Sequence, residues 1–230
     1  MGMTDTEKKE KPDLLRQMSS VVSHELRNPL AIISNSLYFI KTKLSAGGAE
    51  PDPKVVKHLG IIEGEVKHSN DVIEEMLAFT RERELQLAPA KMNAGIDDLV
   101  GAYPLPRGVT VKAVHDPEDP KVNVDIEAMR YALRLVMANA VQALPEGGVI
   151  TLECSHDDKM AHLSFTDSGA GFPDGDGEKA FEPFFTTRPR GVGLGLPIAR
   201  KYAERHGGAA KAENVPGGGA RVVISLPVLK

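Results

Sequence analysis

The sequence is poor in cysteine, aromatic residues and long apolar runs. Among its 230 residues it has one cysteine, no tryptophan and only 5% aromatic residues. One cysteine cannot form an intrachain disulfide or a multi-cysteine zinc site, so the chain suits a reducing compartment, and we predict a cytoplasmic location. Because Cys154 lies in an alternating, strand-like stretch, we interpret it as an inert buried thiol rather than a nucleophile.

The absence of other features narrows the class of protein. No apolar run approaches the length that crosses a bilayer, and no signal peptide is visible, so we predict no direct membrane span. The formal net charge of −4 provides no large basic excess, which argues against a protein that coats nucleic acid. The length is enough for one large domain or two small ones, and the chain has two different patterns.

The first third of the chain carries two helical stripes. After a polar segment over residues 1–12, predicted to be flexible, apolar residues recur every three or four positions up to Leu44 and again from Val55. Glycines and prolines in residues 47–53 separate the stripes, so we predict an antiparallel helical hairpin over residues 13–88. A lone hairpin cannot bury such stripes, which favours a homodimer with a four-helix bundle. Packing of the hairpin on the rest of its own chain is the alternative.

The remainder, residues 89–230, mixes predicted strands with predicted helices, and Pro89 marks the boundary. The turn residues and apolar patterns predict strands over residues 109–114, 149–154, 161–166 and 221–226. They predict helices over residues 125–144 and 196–206, the second closed by Gly207. This mixture favours an α/β sandwich with one sheet and helices on one face.

A histidine-centred motif, SHELRNPL, lies inside the first helical stripe. His24 is off the apolar row, and a neutral imidazole is a competent nucleophile near pH 7. Glu25 could hold one ring nitrogen while the other attacks, and Asn28 lies one helical turn further on the same face. For this motif alone, a surface histidine beside an accidental proline is the more common explanation.

Two glycine-rich segments have the pattern of phosphate-binding loops. DSGAG, which begins at Asp167, follows a predicted strand, and GVGLG, which begins at Gly191, leads into a predicted helix. Glycines let the backbone approach a phosphate closely, and a helix N-terminus favours anions. The Asp167 carboxylate could accept a hydrogen bond from the exocyclic amino group of adenine. An ordinary turn and an ordinary flexible loop are the alternatives.

Two further segments carry candidate ligands. Asn139 is a polar residue among apolar neighbours of the predicted central helix, and an amide oxygen suits a Mg²⁺ ion that keeps most of its waters. An asparagine that bonds within the core is the alternative. Three phenylalanines fall within residues 181–185 and could anchor a mobile lid, with Thr187 and Arg188 available to phosphate. A simple hydrophobic anchor for a loop is the alternative.

Taken in their order along the chain, the motifs resemble those of the bacterial sensor histidine kinases of two-component systems. SHELRNPL resembles the phosphoacceptor box, NAVQAL the asparagine box, DSGAG and GVGLGL the two glycine boxes, and FEPFFTTR the phenylalanine box. The resemblance runs from about Asp13 to the C-terminus, and NAVQA together with the short segment over 187–191 is most similar to the nitrogen-regulation subgroup. It implies a dimerisation and histidine phosphotransfer domain followed by an ATP-binding domain of the Bergerat (GHKL) fold.

The resemblance also implies roles for individual residues. ATP would phosphorylate His24, with Glu25 as general base, and Asn28 would orient water when the kinase acts as a phosphatase. Asn139 would bind Mg²⁺ and Asp167 would read the adenine. The residues assigned to nucleotide binding on this basis are Asn139, Asp167, Gly169, Gly171, Phe184, Phe185, Thr187, Arg188, Gly191, Gly193, Gly195 and Leu196. The implied partners are a response regulator receiver domain, whose aspartate accepts the phosphoryl group, and an upstream sensor domain or sensor protein.

Two positions depart from the family pattern, and two other functions stay open. Leu135 stands where many relatives have a second asparagine, and Gln142 stands where a lysine is common. A GHKL ATPase clamp of the gyrase B or MutL type would explain the nucleotide motifs but leaves SHELRNPL unexplained. A dimeric scaffold or a phosphatase-biased kinase is the second alternative, and Leu135 is the residue that favours it.

Overall fold

The computed structural model describes residues 26, 28–44, 52–80, 83–173, 177–188 and 191–229. They form two compact units: residues up to Ala78 with Arg188–Val192, and Phe79–Thr187 with the chain from Gly193 onward. We call these the hairpin unit and the α/β unit. The predicted flexible segment over residues 1–12 lies outside the described residues, and the domain boundary at residues 88 and 89 stays a prediction.

The hairpin unit consists of two antiparallel helices, α1 over residues 28–44 and α2 over Pro53–Thr80. Phe39 of α1 stacks on His58 of α2, with ring centroids 4.1 Å apart, and the Ser36 hydroxyl lies 3.3 Å from Nδ1 of the same histidine. Later in α1, Lys43 forms an ion pair with Asp52, just before α2, at 3.9 Å. Because later positions of α1 meet earlier positions of the second helix, the predicted hairpin is confirmed.

The apolar residues of this hairpin are divided between a buried row and an exposed row. Ile40, Val55, Val72 and Met76 are at most 8% exposed. Other members of the same sequence stripes remain open to solvent, and Leu30, for example, is 58% exposed. The large apolar side chains exposed on the two helices are Leu30, Leu37, Tyr38, Leu44, Val56, Leu59, Val66, Ile73 and Leu77.

The α/β unit is built on a five-stranded sheet in the order β2-β4-β5-β7-β6. The strands are β2 (Val109–Val114), β4 (Gly148–His156), β5 (Met160–Asp167), β6 (Ala209–Asn214) and β7 (Ala220–Pro227). β2 and β4 are parallel and the other neighbours are antiparallel. A two-stranded antiparallel sheet joins β1 (Ala88–Lys91) to β3 (Lys121–Val124). Alternate residues of β5 and β7 are buried, as expected for strands with one face in a core.

Three helices accompany this sheet: α3 (Met92–Ala102), α4 (Ile126–Gln142) and α5 (Gly195–Arg205). Asp125 caps α4, since its carboxylate accepts a hydrogen bond of 3.0 Å from the Ala128 N–H. Their inner faces and the sheet enclose a core with Ile150, Phe165 and Ile224 at most 1% exposed. The predicted α/β sandwich, including its central helix and four of its strands, is confirmed.

The sequence did not predict β1, α3, β3 or β6. β1 and β3 have four residues each, and β1 contains Pro89. α3 contains two helix-weakening glycines, Gly95 and Gly101, and β6 (AAKAEN) has no β-branched or aromatic residue. Their local propensities are weak, so these elements depend on packing and on strand pairing.

Buried polar bonds fix the segment that leads into β1. Arg83 Nη2 lies 3.0 Å from Asp125 Oδ1, and the Gln86 N–H donates to Asp125 Oδ2 at 3.0 Å. Burial raises the pKa of Asp125, but hydrogen bonds from the Ala128 and Gln86 backbone and the charge of Arg83 outweigh it and lower the pKa overall. The Asp125 N–H donates to His206 Nε2 at 2.9 Å, and Nδ1 of the same ring lies 2.6 Å from the Tyr202 carbonyl oxygen.

Two further expectations concern the reactivity of Cys154 and the presence of membrane-spanning helices. The thiol is 3% exposed, and burial raises its pKa to about 11, so it is protonated at neutral pH and a poor nucleophile. In the described part of the chain, no helix combines the length and the apolar composition needed to cross a membrane.

Candidate nucleotide and phosphotransfer sites

Asp167 ends β5 and is buried, with 4% exposure. Its Oδ1 accepts hydrogen bonds from the Gly169 N–H at 2.9 Å and from the Ala220 N–H at 3.4 Å. The aspartate therefore joins the first glycine segment to the start of β7. A carboxylate held in this way has a fixed orientation and retains lone pairs that can accept a further hydrogen bond.

The first glycine segment approaches two other elements closely. A Cβ on Gly169 would lie 2.5 Å from the carbonyl oxygen of Ala143, the residue that ends α4. Gly171 has a φ of 82°, and a Cβ there would lie 2.6 Å from Asn214 Oδ1. Only glycine fits these two positions without displacement of the backbone or of the Asn214 amide.

Asn214, at the end of β6, is a residue that the sequence reasoning missed. Its Oδ1 accepts from the Phe172 N–H at 2.6 Å, and its Nδ2 donates to the Phe172 carbonyl at 3.0 Å. Both polar atoms of one side chain thus satisfy the backbone just after the first glycine segment. The available signal was an asparagine directly before the VPGGG turn, a position where side-chain to backbone bonds are common.

The second glycine segment packs against the phenylalanine motif. Gly193 has a φ of 72°, and a Cβ there would lie 2.6 Å from the Phe185 carbonyl oxygen. The Phe184 N–H donates to the Gly193 carbonyl at 3.0 Å, and Phe184 itself has a φ of 66°. Gly195 is the first residue of α5, and Leu196, next to it, is buried. The two motifs are therefore one structural element, which the sequence treated as two.

The phenylalanines of this motif differ in their packing. Phe181 ends a short 3₁₀ helix over Gly177–Phe181 and is 5% exposed, with the Arg200 guanidinium carbon 3.6 Å from its ring centroid. Phe184 is half-buried and meets Phe79 edge to face at 6.4 Å. Phe185 is 38% exposed. Sequence reasoning did not single out Arg200, which also bonds Glu178 at 2.8 Å and the Ala210 carbonyl at 3.1 Å.

The predicted phosphate-contacting residues after this motif have different surroundings. Thr187 is exposed, and Arg188 is half-buried. The Gly191 N–H donates to the Arg188 carbonyl at 3.2 Å, and both residues belong to the segment Arg188–Val192. Residues 189 and 190 lie outside the described residues.

Both glycine segments meet α4 on either side of Asn139, which is half-buried near the end of that helix. The first segment contacts Ala143, which caps the C-terminus of α4 four residues after Asn139. A Cβ on Gly195 of the second segment would lie 3.8 Å from the Cβ of Leu135, four residues before Asn139. Four residues are about one helical turn, so the two segments and the asparagine share one face of α4.

The phosphotransfer motif is described only in part. His24 and Glu25 lie outside the described residues, so their roles stay predictions. Asn28 is exposed at the start of α1, and Pro29 beside it is buried.

The other charged clusters are structural. His156 Nδ1 lies 2.7 Å from Asp116 Oδ2, and this hydrogen bond is the main reason that the pKa of the histidine is raised and that of the aspartate is lowered. Asp116 also accepts from the Glu118 N–H at 2.9 Å, so the pair holds the loop between β2 and β3. Among the described residues, no group of three or more His, Cys, Asp or Glu side chains is arranged to hold a metal ion.

The α/β unit combines a mixed sheet and packed helices with two glycine segments beside α4. Residues 124–230 match the family described as "Histidine kinase-, DNA gyrase B-, and HSP90-like ATPase". Residues 14–85 match the family described as "His Kinase A (phospho-acceptor) domain". With both domains in this order, the chain belongs to the histidine kinase family.

Individual relatives agree with this assignment. The chain is 30% identical to the signal transduction histidine-protein kinase AtoS of Escherichia coli (strain K12) over 93% of its own length and 35% of the relative. It is 29% identical to the sensor histidine kinase ZraS of Escherichia coli O157:H7 over 97% of its length and 48% of the relative. The chain thus spans less than half the length of these two relatives.

A solved structure extends the likeness to the fold. The crystal structure of the histidine kinase ThkA in complex with the response regulator protein TrrA matches with a TM-score of 0.75 and 26% identity. The match covers 98% of this chain and 65% of that one. It includes the hairpin as well as the α/β unit, since together they make up the covered length.

Proposed function

We propose that the chain is the catalytic core of a protein-histidine autokinase, which transfers the γ-phosphoryl group of ATP to His24 and then to an aspartate of a response regulator. The single observation that carries the proposal is the convergence of both glycine segments on α4, one turn to each side of Asn139. Backbone that approaches closely beside a helix start supports binding of a polyphosphate. The matching phosphoacceptor family supports a histidine as the acceptor.

In this proposal the α/β unit holds ATP. Asp167 accepts a hydrogen bond from the adenine amino group, since its carboxylate is oriented by Gly169 and Ala220. The half-buried amide of Asn139 fits a Mg²⁺ ion as a single protein oxygen ligand, with waters and phosphate oxygens as the others, and the ion would neutralise charge on the phosphates. The assigned residues of the phenylalanine and second glycine motifs form the lid.

The transfer step is an in-line displacement. A ring nitrogen of neutral His24 attacks the γ-phosphorus, and the bond between the γ-phosphorus and the oxygen that leaves with ADP breaks. Glu25 holds the proton of the other ring nitrogen. Positioning and charge neutralisation supply most of the acceleration. For the separate phosphatase activity, in which water attacks the aspartyl phosphate of the regulator and releases inorganic phosphate and the free carboxylate, we propose that the exposed Asn28 orients the water.

We also propose that the core works as a homodimer in the cytoplasm, where ATP and receiver domains are found. The exposed apolar row of α1 and α2 supports the dimer, because pairing two hairpins would bury it in a four-helix bundle. The complex of ThkA with TrrA supports a receiver domain as the second partner. The signal would come from a sensor domain or a sensor protein.

The test is incubation with γ-labelled ATP, Mg²⁺ and candidate receiver domains. We expect acid-labile, alkali-stable label on the chain, no label in His24→Ala, and normal label in His115→Gln, which changes an exposed histidine of the α/β unit. Full labelling of His24→Ala would refute the assignment of His24 as the phosphoacceptor. Release of free phosphate without any protein-bound label would favour the ATPase clamp instead.

A second variant tests the nucleotide site alone. Gly193→Ala places a Cβ against the Phe184–Phe185 backbone at a positive φ, so the lid element must shift. We expect at least about tenfold weaker nucleotide binding by fluorescence titration, since this corresponds to only about 1.4 kcal/mol. Gly217→Ala is the matched control, because its φ is also positive but its Cβ would meet nothing within 4 Å.

A further inference from the structure

The α/β unit contains a second, apolar cavity that the proposed function does not use. It has a volume of about 170 Å³ and lies between α3, α4, the β1–β3 sheet and the central sheet. Its floor is formed by Leu163, Ile224 and Leu226, each at most 2% exposed. Met129 and Leu133 of α4 form one wall. The cavity therefore reaches into the hydrophobic core and is not a surface dent.

This cavity is separate from the nucleotide site. None of the residues assigned to nucleotide binding lines it. The α4 residues that line it lie between Ile126 and Arg134, and all of them precede Asn139 by more than one helical turn. A ligand in the cavity and a nucleotide at Asn139 would contact different parts of the same helix.

Small residues on the opposite wall leave the space open. Ala90, Ala94, Gly95 and Ala102 line it from β1 and α3. A Cβ on Gly95 would meet only Leu133 Cδ1, at an ordinary 3.6 Å, so nothing in the backbone requires a glycine here. An apolar cavity of about 150 Å³ stays dry and accepts a benzene-sized molecule. The cavity therefore has room for an apolar guest, and its lining is mostly apolar apart from Tyr103 and the charged side chains of Lys91, Asp98, Arg130 and Arg134.

The charges at its rim are paired with one exception. Arg130 lies 3.2 Å from Asp98 and 2.6 Å from Glu127, and Lys91 lies 3.0 Å from Asp119. The exposed Arg134 forms no hydrogen bond or ion pair with any residue that the structure describes. Burial raises the pKa of the Tyr103 hydroxyl, and the charge of Arg134 opposes this with a smaller effect. An unpaired guanidinium beside an apolar cavity is suited to a carboxylate that has an apolar body.

We propose that this cavity binds a small amphipathic carboxylate, with an apolar body of about six to eight carbons inside it and the carboxylate at Arg134. The apolar body replaces empty space next to Ile224 and Leu226, and the head group forms a charge-assisted hydrogen bond at the rim. Because α4 also carries Asn139, the same helix contacts both sites. The proposal does not depend on phosphotransfer.

The test is a titration of the full chain with octanoate, monitored by calorimetry and by the chemical shifts of the backbone amides. Octanol has the same apolar body without the charge, and acetate has the charge without the body. We expect saturable binding of octanoate at millimolar concentration, about threefold weaker binding of octanol and no binding of acetate. Shifts should centre on Gly95 and Leu133, and ATP should not displace the ligand.

Variants then separate the two parts of the site. Arg134→Met should bring octanoate binding down to the level of octanol, whereas Arg107→Met, at an exposed arginine away from the cavity, should have no effect. Gly95→Leu and Ala94→Leu should fill the cavity and abolish binding of both ligands, with retained nucleotide binding as the check that they fold. Absence of saturable binding, unchanged affinity in both folded filled variants, or displacement of octanoate by ATP would overturn the proposal.

Discussion

The hairpin unit and the α/β unit differ in how completely they bury their large apolar side chains. Among the residues that the structure describes, the two helices leave nine large apolar side chains exposed, whereas the α/β unit exposes seven over a much longer stretch of chain. The α/β unit therefore has a closed core, and the hairpin has an open apolar face. A closed core suits a unit that is stable as a single copy, whereas an open apolar face suits packing against the second hairpin of the proposed dimer.

The largest expected effect is on association of the hairpin. Leu59→Asp places a charge on the exposed apolar row of α2, where Leu59 is 46% exposed in the single chain. Burial of this charge in a dimer is unfavourable, so we expect at least about a hundredfold weaker dimerisation by sedimentation velocity.

Lys57→Asp, at an exposed polar position of the same helix, is the control and should leave the dimer intact. An undiminished dimer in Leu59→Asp would mean that the exposed row is not the dimer interface. Folding of the α/β unit should be the same in both variants, because it has a core of its own.

The next largest effect is a loss of stability in the α/β unit that leaves the hairpin unchanged. Asp125→Ala removes the cap of α4 and the partner of Arg83, so we expect a loss of about 3 kcal/mol in the free energy of unfolding. Hydrogen exchange of the central sheet should report it. Asp98→Ala removes an exposed ion pair with Arg130 and should cost less than about 1 kcal/mol. Equal losses in the two variants would contradict the importance of the buried network.

A pH-dependent effect belongs to the hairpin. Burial, with a smaller contribution from the Asp71 charge, raises the pKa of Glu75 from 4.5 to about 7. A raised carboxyl pKa gives a stabilising contribution that is present below the unfolded-state value and is lost as pH rises through about 7. Glu75→Gln should therefore stabilise α2 by about 2 kcal/mol at pH 8 and by little at pH 4.

Hydrogen exchange of the α2 amides at the two pH values measures this difference. Glu74→Gln is the matched control, since Glu74 is exposed on the same helix. If Glu75→Gln changed stability equally at both pH values, the carboxyl would not be titrating as described.

The smallest effect compares glycines in the two units. Gly64 lies within α2, and a Cβ there would meet nothing within 4 Å, so Gly64→Ala should stabilise the hairpin by about 1 kcal/mol. Gly171→Ala in the α/β unit should destabilise, because its φ is positive and its Cβ would meet the Asn214 amide. Thermal unfolding should show shifts of opposite sign, and the same sign in both would contradict the assigned backbone constraints.

Periodicity predicted the elements that carry strong local signals. The three-to-four spacing indicated both helices of the hairpin, and the predicted strand over residues 109–114 has the observed bounds of β2. The predicted helix over residues 125–144 contains α4 and its cap, Asp125. β6 was missed because AAKAEN has no strand-forming side chains and pairs only because β7 lies beside it.

The candidate site was predictable as a set of motifs but not as an arrangement. Glycines and an aspartate after a strand are visible in the letters, and so is the asparagine of the central helix. The clamp of Asn214 on Phe172 joins residues 42 positions apart, and Gly193 meets Phe184 and Phe185 through backbone atoms. Such contacts have no periodic signature.

Local spacing and residue chemistry are enough to predict the two domain types, the order of the nucleotide motifs and the candidate phosphoacceptor. The meeting of both glycine segments beside Asn139, the fixing of the segment before β1 by Asp125 and the cavity next to α3 are visible only in the folded chain. These depend on contacts between distant parts of the chain, which form only when the sheet and helices pack together.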